Sequence, residues 1–138
     1  MRLPLAIAAS ALATTLTAAP AAAAPAPAPA RVTLSVADVQ LPKRGCATAT
    51  TKVRVSVGGT RPWLMYANLR PSRMPHGWRP IEAAPSTGQG DTRFQIKLRL
   101  CADYPAGEWT GEATLFVDGR EDSYVHGTTT FTVKPARR

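Results

Sequence analysis

From residue 31 onward the chain alternates. Val32, Leu34 and Val36 are interleaved with Arg31, Thr33 and Ser35, the period-two pattern of a strand buried on one face. A longer stretch repeats it. Ala47, Ala49, Thr51, Val53, Val55 and Val57 share one parity, Thr48, Thr50, Lys52, Arg54 and Ser56 the other, and Gly58-Gly59 ends the run. Further strands are predicted from about Trp63 to Leu69, Phe94 to Leu100, Trp109 to Val117 and Thr128 to Val133. Phe131 and Val133 point inward in the last, Pro135 stops it, and Asp118-Gly119 is a hairpin-turn dipeptide. No window long enough for a helix carries a helical stripe. Short strands between Gly- and Pro-rich turns predict an all-β domain over residues 31–138, a single immunoglobulin-like antiparallel β-sandwich of about seven strands.

In such an order the strands at 47–57 and 94–100 are antiparallel neighbours. Placing Cys46 opposite Cys101 fixes their register. Val53 then faces Phe94, Thr51 faces Ile96 and Ala49 faces Leu98 on the inner side, while Lys52 faces Gln95 and Thr50 faces Lys97 on the outer side. Both cysteines fall on the outer parity. They are expected to form one disulfide, closing a loop that would contribute roughly 4 kcal/mol in the chain-entropy model.

The disulfide expectation rests on export. Residues 1–23 read as a secretory signal peptide: Arg2, an apolar run from Leu3 to about Leu16, and small residues Ala21-Ala22-Ala23 before the cut. An Ala/Pro spacer, residues 24–30, follows and favours a stiff polyproline II segment. After cleavage no transmembrane stretch is expected, and the protein is placed outside the cell as a monomer, possible attachment to the wall included. In that setting a lone cysteine pair reads as a disulfide and not as a metal site.

The stretch Tyr104-Pro105-Ala106-Gly107-Glu108-Trp109, followed by a strand, an acidic-glycine hairpin and Phe131-Thr132-Val133, resembles the C-terminal half of small secreted immunoglobulin-like proteins of high-GC Gram-positive bacteria. The resemblance implies the fold and, since those proteins are mostly uncharacterised, no activity. The antibody pattern is not met, because Tyr104 follows Cys101 instead of preceding it.

Charge changes the picture most. The chain has 17 Lys and Arg against 9 Asp and Glu. Between Asp38 and Glu82 there is no acidic residue, whereas Lys43, Arg44, Lys52, Arg54, Arg61, Arg70, Arg73 and Arg79 are basic. Under the register above, Lys52, Arg54, Arg93, Lys97 and Arg99 share one solvent face, with Arg54 opposite Arg93. Such a face suits an anionic polymer, such as teichoic acid, an acidic polysaccharide or anionic headgroups; the bland alternative is ordinary exposed strand positions filled with arginine. No specific nucleic-acid recognition is predicted.

The segment Pro71 to Pro80 is a second candidate, as a protein-binding loop of an inhibitor or accessory subunit, with Arg70, Arg73, His76, Trp78 and Arg79 as contacts. Trp63 and Trp109 are expected in the core, whereas Trp78 could face solvent or tuck into the sandwich mouth. Catalysis is not expected: His76 and His126 read as loop residues, and no nucleophile, zinc or paired-carboxylate motif accompanies them. No cofactor or metal is called for. Asp118, Glu121 and Asp122 lack the oxygen ladder of a calcium loop, although the sequence leaves calcium there undecided.

Overall fold

A computed structural model describes residues 29–138. The expected signal peptide, residues 1–23, and most of the expected Ala/Pro spacer lie outside the described residues. Among the described residues the chain forms nine strands: β1 (Arg31–Val36), β2 (Val39–Gln40), β3 (Cys46–Ser56), β4 (Pro62–Pro71), β5 (Ile81–Glu82), β6 (Ser86–Gln89), β7 (Thr92–Cys101), β8 (Gly107–Val117) and β9 (Tyr124–Lys134). No helix among them is long and apolar enough to cross a membrane.

The strands make two sheets. One has the order β1-β3-β7; the other runs β2-β9-β8-β4-β5, with β6 also paired to β4. The chain passes between the sheets in the immunoglobulin-like manner, and each sheet turns its apolar parity toward the other. The β3–β7 ladder has the register set by the cysteines: Cys46 pairs with Cys101, Ala49 with Leu98, Thr51 with Ile96, Val53 with Phe94, and Arg54 with Arg93.

Three features depart from the sequence reading. The sandwich is not wholly antiparallel, because β2 runs parallel to β9, with Val39 opposite Val133. The chain leaves β1 at Ala37-Asp38 and crosses to the other sheet, where the Asp38 carboxylate accepts the Thr132 amide at 2.9 Å. The last strand begins at Tyr124 and not at Thr128, so His126 is a strand residue and not a loop residue. Its ladder with β8 closes at Phe116–Tyr124. Asp118 and Gly119 do adopt the two positive φ values of a type I′ turn, 58° and 66°, but the chain turns again before β9 starts. The two extra short strands β5 and β6 come from residues 81–89, a segment with little alternation.

The core has two adjoining parts. One gathers Val32, Val53, Val55, Val57, Trp63, Met65, Leu115 and Val117. The other gathers Val36, Leu41, Leu69, Leu100, Trp109, Phe131 and Val133. Trp63 stacks on Phe94 at 5.7 Å, and its indole N–H donates to the Gly90 carbonyl at 3.0 Å. Trp109 is fully buried and donates to the Pro105 carbonyl at 2.8 Å. Both indoles thereby keep a partner for the one polar atom they bury. Phe94, Ile96 and Leu98 point inward as their parity requires, but they are only half-buried. The cause is position: β7 pairs only with β3 and forms an edge of its sheet.

Candidate functional site

The outer face of the three-stranded sheet is built by register alone. On β3, odd positions enter the core, so Lys52 and Arg54 must face solvent; on β7, even positions enter it, so Arg93, Gln95, Lys97 and Arg99 must face solvent. The β1 ladder adds a third row, placing Thr33 beside Arg54 and Ser35 beside Lys52. Successive rows across the sheet therefore read Thr33–Arg54–Arg93, Ser35–Lys52–Gln95, Thr50–Lys97 and Thr48–Arg99. Arg31 extends the face at the start of β1. Lys52, Arg54, Arg93, Lys97 and Arg99 are all exposed.

Among the described residues the ion pairs are Arg61–Asp118 and Arg70–Glu112, at 2.8 and 2.7 Å. Neither involves the five basic residues of this face. Asp91 lies at the rim beside Arg54 and Arg93, and its Oδ1 accepts the amides of Val57 and Gly58 at 2.9 and 3.1 Å. The Gly58 and Val57 hydrogen bonds hold its pKa below the ordinary carboxylate value, with Arg54 adding a smaller pull in the same direction. Lys52, Arg54, Arg93 and Gln95 line a depression of about 350 Å³ together with Leu34, Val53 and Phe94.

At the far end of the same face the row closes with the Cys46–Cys101 disulfide. It joins neighbouring strands of one sheet on the outer side, unlike the inter-sheet disulfide of antibody domains. The two sheets are held together by the apolar core between them and by the chain crossing from one to the other.

The Pro71–Pro80 segment is placed differently. Arg70 lies on β4 and is half-buried, its guanidinium donating through Nε and Nη2 to Glu112 Oε1 at 3.2 and 2.7 Å. Arg73, His76 and Arg79 are exposed in the connection. Trp78 turns inward: it is half-buried and meets Tyr104 and Trp109 edge-on at 5.0 and 5.7 Å. Of the two placements open for Trp78, it takes the tucked one, as a wall of the core at the sandwich mouth. Asp118, read as part of an acidic turn, is engaged by Arg61 through Nε and Nη2.

A second surface was not singled out by sequence reasoning. On the outer face of the larger sheet, Leu64, Phe116 and Tyr124 fall in one cross-strand row, and Tyr66, Thr114 and His126 in the next. Tyr66 and Tyr124 are 48% and 55% exposed. The signal was present in parity: Leu64 and Tyr66 alternate with core residues Trp63, Met65 and Ala67, and Phe116 sits between Leu115 and Val117.

The fold and this face define an immunoglobulin-like β-sandwich with a basic sheet surface. No family model matches the chain, and no curated protein matches it by sequence. Among solved structures it is similar to the CARDB domain of the PF1109 protein from Pyrococcus furiosus, in complex with di-metal ions, at 15% identity and a TM-score of 0.49, covering 77% of this chain and 93% of that one. It is also similar to part of a beta-glucosidase from Kluyveromyces marxianus in complex with glucose, at 13% identity and a TM-score of 0.35, covering 76% of this chain and 14% of that one.

Proposed function

We propose that the protein is a secreted, non-catalytic binding module that docks onto anionic polymers of the cell wall or its surroundings through the outer face of the β1-β3-β7 sheet. One observation carries this reading: Arg54 and Arg93 stand opposite each other, flanked by Lys52, Lys97 and Arg99, with no ion-pair partner for any of the five among the described residues. Like charges directly opposite destabilise a sheet by a few tenths of a kcal/mol, a cost that a bound polyanion removes. The shape favours a linear ligand. Along β7 the cationic positions 93, 97 and 99 extend over roughly 20 Å at the usual strand rise, which matches a run of repeating anionic units better than one compact anion.

A protein contact through residues 72–80 is the alternative. It would rest on Arg73, Met74, His76 and Arg79, because Trp78 is turned into the core and Arg70 is held by Glu112.

Co-sedimentation of the oxidised mature protein with cell-wall sacculi, with and without their teichoic acid and across stepped salt, tests the reading. Binding that requires the anionic polymer, dissolves with salt and fails in Lys52→Glu/Lys97→Glu supports it. Binding that is absent, or that survives both salt and the substitutions, contradicts it and directs attention to the 72–80 connection.

A further inference from the structure

The aromatic surface on the opposite sheet has a chemistry of its own. Leu64, Tyr66, Phe116, Tyr124, His126 and Glu121 line a depression of about 500 Å³, within the size range of small-ligand pockets. Tyr66 meets Phe116 nearly perpendicularly, 83° at 6.0 Å. Phe116 meets Tyr124 at 53° and 6.1 Å, and Tyr124 meets His126 at 74° and 4.9 Å. The rings therefore stand as inclined walls. They do not make the coplanar platform on which a sugar chain would stack.

Charge narrows the guest further. In a chain of formal net charge +8, this depression is lined by no Lys or Arg, and Glu121 is its one carboxylate. The imidazole of His126 is tied through Nδ1 to the Thr114 hydroxyl at 3.1 Å, which fixes the ring as part of the wall. A cation seated among aromatic rings is attracted through their quadrupoles, most strongly when it carries an apolar shell that is cheap to desolvate. An adjacent carboxylate adds Coulombic attraction.

The geometry points to a second binding site, independent of the basic face: a pocket for an alkylated ammonium group, with Tyr66, Phe116 and Tyr124 as the walls and Glu121 as the counter-charge. A trimethylammonium group fits the chemistry. It is compact and cationic, and its methyl groups make apolar contacts with Leu64 and the rings. The two sheets thus present opposite preferences, anions on one side and organic cations on the other.

Titration of the oxidised protein with choline chloride, followed by the NMR shifts of aromatic ring protons, tests this. The expected result is saturable shifts at Tyr66, Phe116 and Tyr124 with a Kd of about 1 mM. The neutral isostere 3,3-dimethylbutan-1-ol should bind about tenfold more weakly, and Glu121→Gln and Tyr124→Leu should each weaken choline by about as much. Both positions are exposed, and an unchanged amide spectrum outside the pocket verifies that the variants fold. Lys52→Glu/Lys97→Glu should leave choline binding intact, so the site stands or falls apart from the polyanion face. Once choline binds, flotation with phosphatidylcholine vesicles separates a lipid headgroup from a soluble or polymer-borne source. Equal binding of the neutral isostere, saturation by N-acetylglucosamine in place of choline, or no ring shifts at all would overturn the assignment.

Discussion

Arg54 on β3 and Arg93 on β7 are cross-strand partners on an exposed sheet face, and neither forms an ion pair among the described residues, while Asp91 at the rim accepts the Val57 and Gly58 amides through Oδ1. Two cationic side chains at directly facing positions oppose pairing of the strands. Arg93→Glu converts the repulsion into an attraction across the ladder. It should raise stability by about 0.5 kcal/mol, read as a higher denaturation midpoint with an unchanged slope, while polyanion binding weakens. A variant that lost both stability and binding would show that the two arginines are not opposed in solution.

The disulfide offers a separate check on the architecture. Because Cys46 and Cys101 sit on the outer side, replacing both by alanine opens no cavity in the core. The loss should come from the freed chain, about 4 kcal/mol for a loop of this length. The fold should persist at low temperature, with the near-ultraviolet signal of Trp63 and Trp109 retained. Collapse of that signal in the double variant, under conditions where the wild type is stable, would mean that the cysteines are packed within the core.

Where the two sheets come together, Gly127 on β9 leaves room for the Val32 carbonyl of β1. A Cβ at residue 127 would overlap that oxygen, which is backbone and cannot rotate away. Gly127→Ala is expected to cost about 1–3 kcal/mol, measured by chemical denaturation. A neutral outcome would place β1 farther from β9.

Acid should act through Asp91. Its pKa is depressed by the Gly58 and Val57 amide bonds, so its stabilising contribution is fully present above the ordinary carboxylate value and is lost as pH falls through the folded value. Asp91→Asn keeps an acceptor oxygen but cannot titrate. The stability gap between wild type and variant should therefore be largest near neutrality and close below about pH 4. Denaturation midpoints measured from neutral to strongly acidic pH check this, and a gap that stays constant would contradict it.

Alternation and cysteine parity were enough to read β1, β3 and β7 as strands, the β3–β7 register, and the shared face of Lys52, Arg54, Arg93, Lys97 and Arg99, whereas the pairing of β1 with β3 came only from the structure. Those residues are close in register and keep strict period two. The β5 and β6 segments were illegible because Ile81–Gln89 has no apolar face to bury evenly. Its pairing is set by β4, and Gly88 lies flat under Trp63, where a side chain would strike the ring. The aromatic pocket was hidden for a different reason: Leu64, Phe116 and Tyr124 become neighbours only when the registers of β4, β8 and β9 are known together. Trp78 needed the third dimension as well, since nothing local in the proline-broken connection indicates that its ring meets Trp109.

The β1-β3-β7 face is proposed to bind a linear polyanion by charge. The most direct test is the salt dependence of affinity for soluble poly(glycerol phosphate), compared between the wild type and Lys52→Gln/Lys97→Gln. Each cation removed from a polyanion contact releases about 0.7 to 0.9 counterions fewer, so the slope of log affinity against log salt should fall by roughly 1.4 to 1.8 in the double variant. A wild-type affinity independent of salt, or slopes that coincide in the two proteins, would contradict the assignment of this face.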